Sequence, residues 1–395
     1  MTSPSSSGSF VYEPLDPLRD CTRLIEIEHC TNAMGPDLRC HVKQVLFSDR
    51  PKYRALSYMW GDETARFPIH LNGKWFTVAE NLFRALGFLR REKFAGPFWI
   101  DAICINQDDI QEKNRQIRIM PHIYFCASAV LVWLGLYPEA EIVEESKRMG
   151  DPILGSFLTY ASTVEKATRR LLRDCGYWKR LWIIQEIGKA ASIEVCYATS
   201  LPDTGYPGGV QYRDRSLHWD AFIGKIRGPD RKRGRTGALR MNDQLKWKDK
   251  GSHTLRSLLE AHHDALCKNP RDKVYGLAGL AEDCYGFPVD YAKSLFEVWA
   301  DTLQFLQDGG HVKDEADLLD LAAILMNALG GPSQVMPPPG TSCSVELELR
   351  GLLPVGTMAK IGPTTDDMMV SSESGTTGRP ASIGAADTRR SRTRA

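Results

Sequence analysis

Phe98-Trp-Ile-Asp-Ala-Ile-Cys-Ile-Asn-Gln107 is the stretch from which the rest of the chain can be read. Phe98–Ile103 is a nearly unbroken apolar run, the pattern of a strand buried on both faces. The sequence then turns polar, and Asp108 or Asp109 can cap a following helix. Ile110, Ile117, Met120, Tyr124 and Ala127 form that helix's apolar stripe, with Pro121 inside it predicting a kink or an end one turn early. Ala129–Leu134 is a second buried strand, stopped by Gly135 and Pro138. Upstream, Tyr53–Tyr58 is a strand ended by Trp60-Gly61-Asp62. Asn72-Gly73 between alternating apolar residues marks a hairpin, because both positions need positive φ. Thr77-x-x-Glu80 fits a capping box opening a helix with Leu82, Ala85, Leu86 and Leu89 on one face. Strands alternating with helices predict an α/β fold, a largely parallel sheet flanked by helices.

Outside this block the chain divides by composition. Residues 1–20 read as a flexible leader and 21–197 as the α/β domain, with two N-terminal strands (Leu24–Ile27 and Val42–Leu46) and core motifs over 53–191. Helices are expected at about 139–149, 155–174 and 178–189, then a strand at 192–197. Residues 198–252 are a basic loop or insertion, and 253–330 a helical region with helices near 253–266, 271–282, 292–308 and 314–329. From 331 to 395 the Pro-, Gly-, Ser- and Thr-rich composition predicts a disordered tail.

The bulk chemistry excludes several classes. At +1 net charge, with 43 % hydrophobic and 25 % charged residues, no global field draws the 395-residue chain to nucleic acid or acidic membranes. No secretory signal opens the chain, and no apolar run is long enough to span a bilayer. The ten cysteines are irregularly spaced with no C-x-x-C pair, which points to free thiols in a reducing, cytoplasmic setting. Adjacent His262 and His263 on a helix would point about 100° apart, so no metal site is expected. The basic run Arg231–Arg235 and the tail arginines 389, 390, 392 and 394 lack interleaved aromatics and read as solvated segments.

Four ordered segments resemble the heterokaryon incompatibility (HET) domain family: Tyr53–Asp62, Asn81–Leu86, Trp99–Gln107 with Glu112, Gln116, Met120, Ile123 and Tyr124, and Trp178–Glu186. Asn269–Leu280 resembles a helical segment that follows such domains. The resemblance implies an effector of fungal non-self recognition, acting in cell death through regulated self-association and incompatibility partner proteins. The family is also remotely similar to TIR domains, which implies a TIR-like or flavodoxin-like sheet and, in some members, NAD as a substrate rather than a bound cofactor. A non-toxic scaffold is the third reading.

Candidate site residues follow from position. Asp101, Asn106 and Gln107 fall at the carboxyl end of a buried strand, where open sheets bind ligands. They either line a polar pocket or tie down the turn. Ser57, Trp60, Gly61 and Asp62 end the neighbouring strand at the same edge. Glu186, four residues after Trp182, matches the spacing of the TIR-domain carboxylate, where a negative charge can stabilise an oxocarbenium-like transition state. The alternative is a core Trp182 with Glu186 paired to Arg180 or Lys189. Cys104 is expected to be a buried structural thiol.

Overall fold

The computed structural model describes residues 8–28, 38–92, 94, 96–150, 157–188, 190–202, 210–227, 237–245, 253–335 and short stretches at 345–348, 358–362, 369–372 and 381–382. Two compact units divide the chain, residues 1–251 with 264–266, and 252–263 with 267–395.

The first unit is built on a nine-stranded sheet. Its strands are β1 (Cys21–Ile27), β2 (Arg39–Leu46), β3 (Arg54–Tyr58), β4 (Arg66–Leu71), β5 (Lys74–Ala79), β6 (Phe98–Trp99), β7 (Ala129–Pro138), β8 (Ile193–Pro202) and β9 (Val210–His218), in the order β5-β4-β2-β1-β6-β3-β7-β8-β9. Only β6, β3, β7 and β8 form a continuous parallel block. β2–β4 is parallel, and the remaining pairings are antiparallel. The sheet is therefore mixed, not largely parallel. The reason is local: a tight turn such as Asn72-Gly73, with φ of 51° and 77°, can join only antiparallel neighbours.

The helices of this unit are α1 (Glu80–Arg91), α2 (Asp101–Cys104), α3 (Ile110–Cys126), α4 (Glu139–Arg148), α5 (Phe157–Asp174), α6 (Ile183–Gly188), α7 (Trp219–Arg227) and α8 (Gly237–Leu245). Leu82, Ala85, Leu86 and Leu89 of α1 are buried as the periodicity requires. Asp109 caps α3 by accepting the Glu112 N–H at 3.0 Å.

Several expectations are corrected. The strand read over Phe98–Ile103 ends at Trp99, because the backbone turns into α2, whose Cys104 N–H donates to the Ile100 carbonyl at 2.7 Å. Ile103 and Cys104 are buried under that turn, and a short apolar run reads alike in either role. Thr77 lies in β5 and does not cap α1, whose N-cap is Ala79. Pro121 does not end α3, which runs on to Cys126, and Ile110 is 52 % exposed instead of joining the stripe. The helix expected at 178–189 is a 3-10 turn (Gly176–Lys179) followed by the short α6. The 198–252 stretch contains the end of β8, then β9, α7 and α8; the run Arg231–Arg235 lies outside the described residues.

A buried ion pair fastens the N-terminal hairpin to this block. Arg23 on β1 and Glu112 on α3, with side chains 3 % and 2 % exposed, meet in two bonds of 2.6 and 2.8 Å. Arg23 also donates to the carbonyls of Cys104 at 3.0 Å and Glu13 at 2.6 Å, while Glu112 accepts the Asn106 N–H at 2.7 Å. Alongside, Gln116 accepts from Thr22 and donates to the Cys21 carbonyl, each at 2.8 Å. The 100–109 turn is thereby held from both sides.

The second unit is helical where it precedes residue 336, with α9 (Leu255–Ala261), α10 (Asp272–Ala278), α11 (Leu295–Asp308), α12 (Glu315–Ala328) and α13 (Pro332–Val335). Ser294 and Glu297 form a capping box on α11, and Trp299 donates to the Ala322 carbonyl at 2.9 Å. Arg271 and Asp272 find partners inside this unit, the Lys293 carbonyl at 2.6 Å and the Tyr291 hydroxyl at 2.6 Å. The tail read as disordered lies mostly outside the described residues. Its described pieces, β10 (Val345–Glu348), β11 (Met358–Gly362), β12 (Met369–Ser372) and β13 (Ala381–Ser382), pair antiparallel. The tail arginines lie outside the described residues.

Removing one member of the Arg23–Glu112 pair leaves a buried charge uncompensated, which costs about 3–5 kcal/mol. Arg23→Ala is expected to lose that much in denaturant unfolding, and a loss under about 1 kcal/mol would contradict the role assigned to the pair.

Candidate functional site

The connection leaving β3 runs towards the β6 side of the sheet, and the one leaving β7 runs towards the β8 side. Their carboxyl ends therefore form a topological switch point, the place where open α/β sheets leave a crevice. Gly61 (φ 74°) and Gly135 (φ 114°) turn the chain there in backbone conformations that favour glycine. Asn81 of α1 locks the two turns together, donating to the Met59 carbonyl at 2.6 Å and accepting from Trp133 Nε1 at 2.9 Å.

Behind this edge lies a buried polar cluster. Ser57, 1 % exposed near the end of β3, donates through Oγ to Glu186 Oε2 and shares a hydrogen bond with the Tyr177 hydroxyl. Arg180 donates from Nη2 to Glu186 Oε1 at 3.1 Å and from Nη1 to Oε2 at 3.3 Å, with side-chain exposures of 16 % for Arg180 and 4 % for Glu186. Both carboxylate oxygens are therefore engaged. Burial pushes the Tyr177 phenol well above its ordinary range, and the Glu186 charge adds to it. Arg180 is held charged, its loss of hydration outweighed by the facing Glu186.

Asp101 joins the same electrostatic group. It opens α2 after β6, accepting from Trp60 Nε1 at 2.8 Å and from the Ala102 N–H at 2.7 Å. Burial, then the neighbouring Glu186 charge, raises its carboxyl from 3.8 to about 6, against the pull of the Trp60 bond and of Arg180. Tyr58 lies against Asp101, and burial followed by that charge drives its phenol up.

Two clefts flank the cluster. One of about 430 Å³ is lined by Tyr58, Trp60, Ala102, Asn106 and Gln107 among others, and the second, of about 300 Å³, by Met59, Gly61, Asn81, Gly135 and Tyr177 among others. Tyr58, beside Asp101, lines the first cleft, and Tyr177, bonded to Ser57, lines the second.

Of the residues singled out from sequence, Ser57, Trp60, Asp101 and Glu186 converge. Asn106 and Gln107 line a cleft but also close the turn, Asn106 through Oδ1 to the Asp108 N–H at 3.3 Å and Gln107 through Nε2 to the Asp101 carbonyl at 3.1 Å. Asp62 does not join them. It is exposed, and the Thr64 N–H at 2.8 Å holds its carboxyl below the usual range. Trp182 lies directly before α6; it is half-buried, and its carbonyl accepts the Glu186 N–H at 3.0 Å. Cys104 is fully buried, which pushes its thiol up to about 12. Sequence reasoning misses Tyr58, Asn81 and Tyr177 as site residues, although Tyr58 and Asn81 lie in segments that resemble the family. The described residues contain no group of His, Cys, Asp and Glu able to hold a metal ion.

Residues 53–186 match the family described as heterokaryon incompatibility protein (HET). Over that span the chain is similar to the HET family. The matched span begins at Tyr53, beside β3, and ends on Glu186, so the whole buried cluster lies within it. The chain is also 29 % identical, over 339 residues, to heterokaryon incompatibility protein 6, OR allele, of Neurospora crassa, across 69 % of this chain and 49 % of that protein. It therefore spans about half the length of that relative. No solved structure matches the chain.

The Asp101 carboxyl sets a pH test for this site. Folded, it keeps its proton up to about 6, whereas unfolded it releases it near the ordinary 3.8. The folded state binds more protons between those values, so this contribution to stability is lost as pH rises through that window. Asp101→Asn cannot ionise, and wild type is expected to lose about 2 kcal/mol relative to it between pH 4 and 7. A wild-type-minus-variant difference that stays flat over that range would contradict the assignment.

Proposed function

We propose that the chain is an effector of fungal heterokaryon incompatibility. In this reading its HET domain self-associates under control of incompatibility partner proteins and triggers cell death from the cytoplasm. The match of residues 53–186 to the HET family carries the proposal, and the name of the Neurospora crassa relative supports it. No described helix is long and apolar enough to cross a membrane.

A second reading draws on the cluster itself. A TIR-like, flavodoxin-like arrangement would make Glu186 the carboxylate that stabilises an oxocarbenium-like ribose as NAD is cleaved. Its support is that Asp101 and Glu186 share one electrostatic group beside a cleft at the sheet's switch point. The incompatibility reading is preferred, because Arg180 and Ser57 occupy both oxygens of Glu186.

Inducible expression in a filamentous fungal host tests both. Growth arrest is expected, together with concentration-dependent assembly of the purified chain in light scattering. Full growth at immunoblot-confirmed expression would overturn the effector reading. If the assembled protein leaves NAD intact and Glu186→Ala still arrests growth, the NAD-cleaving reading is lost.

A further inference from the structure

Asp264-Ala265-Leu266 groups with the first unit, although the chain on either side of it belongs to the second. This tripeptide is tied to the backbone that presents Arg180. The Leu181 N–H donates to the Leu266 carbonyl at 2.9 Å, and the Leu266 N–H donates to the Lys179 carbonyl at 2.6 Å. The two bonds bracket Arg180 in a parallel bridge. Arg180 itself is extended, between the 3-10 turn Gly176–Lys179 and the start of α6, so this bridge gives it a strand-like partner.

A side-chain contact reinforces the strap. Arg240 of α8 donates to both oxygens of Asp264, at 3.0 Å from Nη2 and 3.1 Å from Nη1. α8 is itself pressed against the same turn. A Cβ on Gly237 would fall 2.5 Å from Trp178 Cβ and 2.8 Å from the Trp178 carbonyl oxygen, an approach only glycine permits. Leu266 is 62 % exposed, so backbone bonds hold the strap and burial of that residue does not. Two backbone bonds and a half-exposed ion pair make a fastening that can open without unfolding the sheet.

We propose that Asp264–Leu266 is a clamp that keeps Arg180 on the Glu186 carboxylate, and that drawing the clamp away uncovers Glu186. Since the chain on both sides of the strap belongs to the second unit, a partner that seizes that unit pulls on the strap. The inference holds whether uncovered Glu186 serves assembly or catalysis, and its test does not involve toxicity.

Hydrogen–deuterium exchange of the full chain reads the clamp directly. Leu266→Pro removes the N–H that bonds to Lys179, and Asp264→Ala removes the carboxylate that bonds Arg240. In Leu266→Pro the amides of 179–188 are expected to exchange about tenfold faster, as for the loss of one to two backbone bonds. In Asp264→Ala the expected rise is about threefold, and Arg240→Asp with Asp264→Arg returns exchange towards wild type. Peptides covering β3 and β7 keep their wild-type protection throughout. Unchanged exchange at 179–188 in both variants overturns the proposal. So does an equal rise in β3 and β7, or a charge swap that restores nothing.

Discussion

The Glu186 side chain is 4 % exposed, and a carboxylate so placed is tolerable only with a cation and hydrogen-bond donors against its oxygens. Arg180 and Ser57 supply these. Each requirement then reaches outward. Ser57 must sit near the end of β3, which fixes the register Ser57↔Val132 with β7. Tyr177 must bring its hydroxyl to Ser57, which the aromatic packing of Trp178 on Phe222 at 5.6 Å helps to secure. Arg180 must leave the 3-10 turn in an extended conformation, the conformation the strap at Leu266 accepts.

The Arg23–Glu112 pair plays the matching part on the other side of β3. It fixes the turn after β6, and that turn presents Asp101 to Trp60 and to the field of Glu186. Two buried ion pairs therefore hold two carboxylates together at the carboxyl edge of the parallel block. Such pairs add little net stability over apolar packing, but they are specific: neither survives a slipped register without stranding a charge. Within the matched span 53–186, that specificity keeps Asp101 and Glu186 in one group.

Much of this was legible in the chain. Asn72-Gly73 states its own turn, and the apolar spacing of α1 predicts the buried face seen there. The meeting of Ser57, Trp60 and Asp101 was readable as position at one sheet edge, whereas Glu186 was named from its spacing after Trp182, by resemblance to TIR domains. Other features were hidden for physical reasons. Phe98–Ile103 is apolar whether it runs as a strand or folds under a turn, so the end of β6 carries no periodic mark. β9 is an edge strand in which Tyr212, Arg213 and Arg215 are exposed, so its composition resembles that of a loop. The Arg23–Glu112 partnership spans 89 residues, a separation at which one sequence says nothing about pairing. Arg180 was nameable as a partner of Glu186 only because the two lie close along the chain.

The central claim is that the Glu186 charge is buried against Arg180 as a unit. A double-mutant cycle in denaturant unfolding tests it with Arg180→Met, Glu186→Gln and the pair together. Arg180→Met alone should cost about 3–5 kcal/mol by stranding a buried carboxylate, and the double variant should recover most of that loss. If the two single losses simply add, the charges do not depend on one another and the account fails.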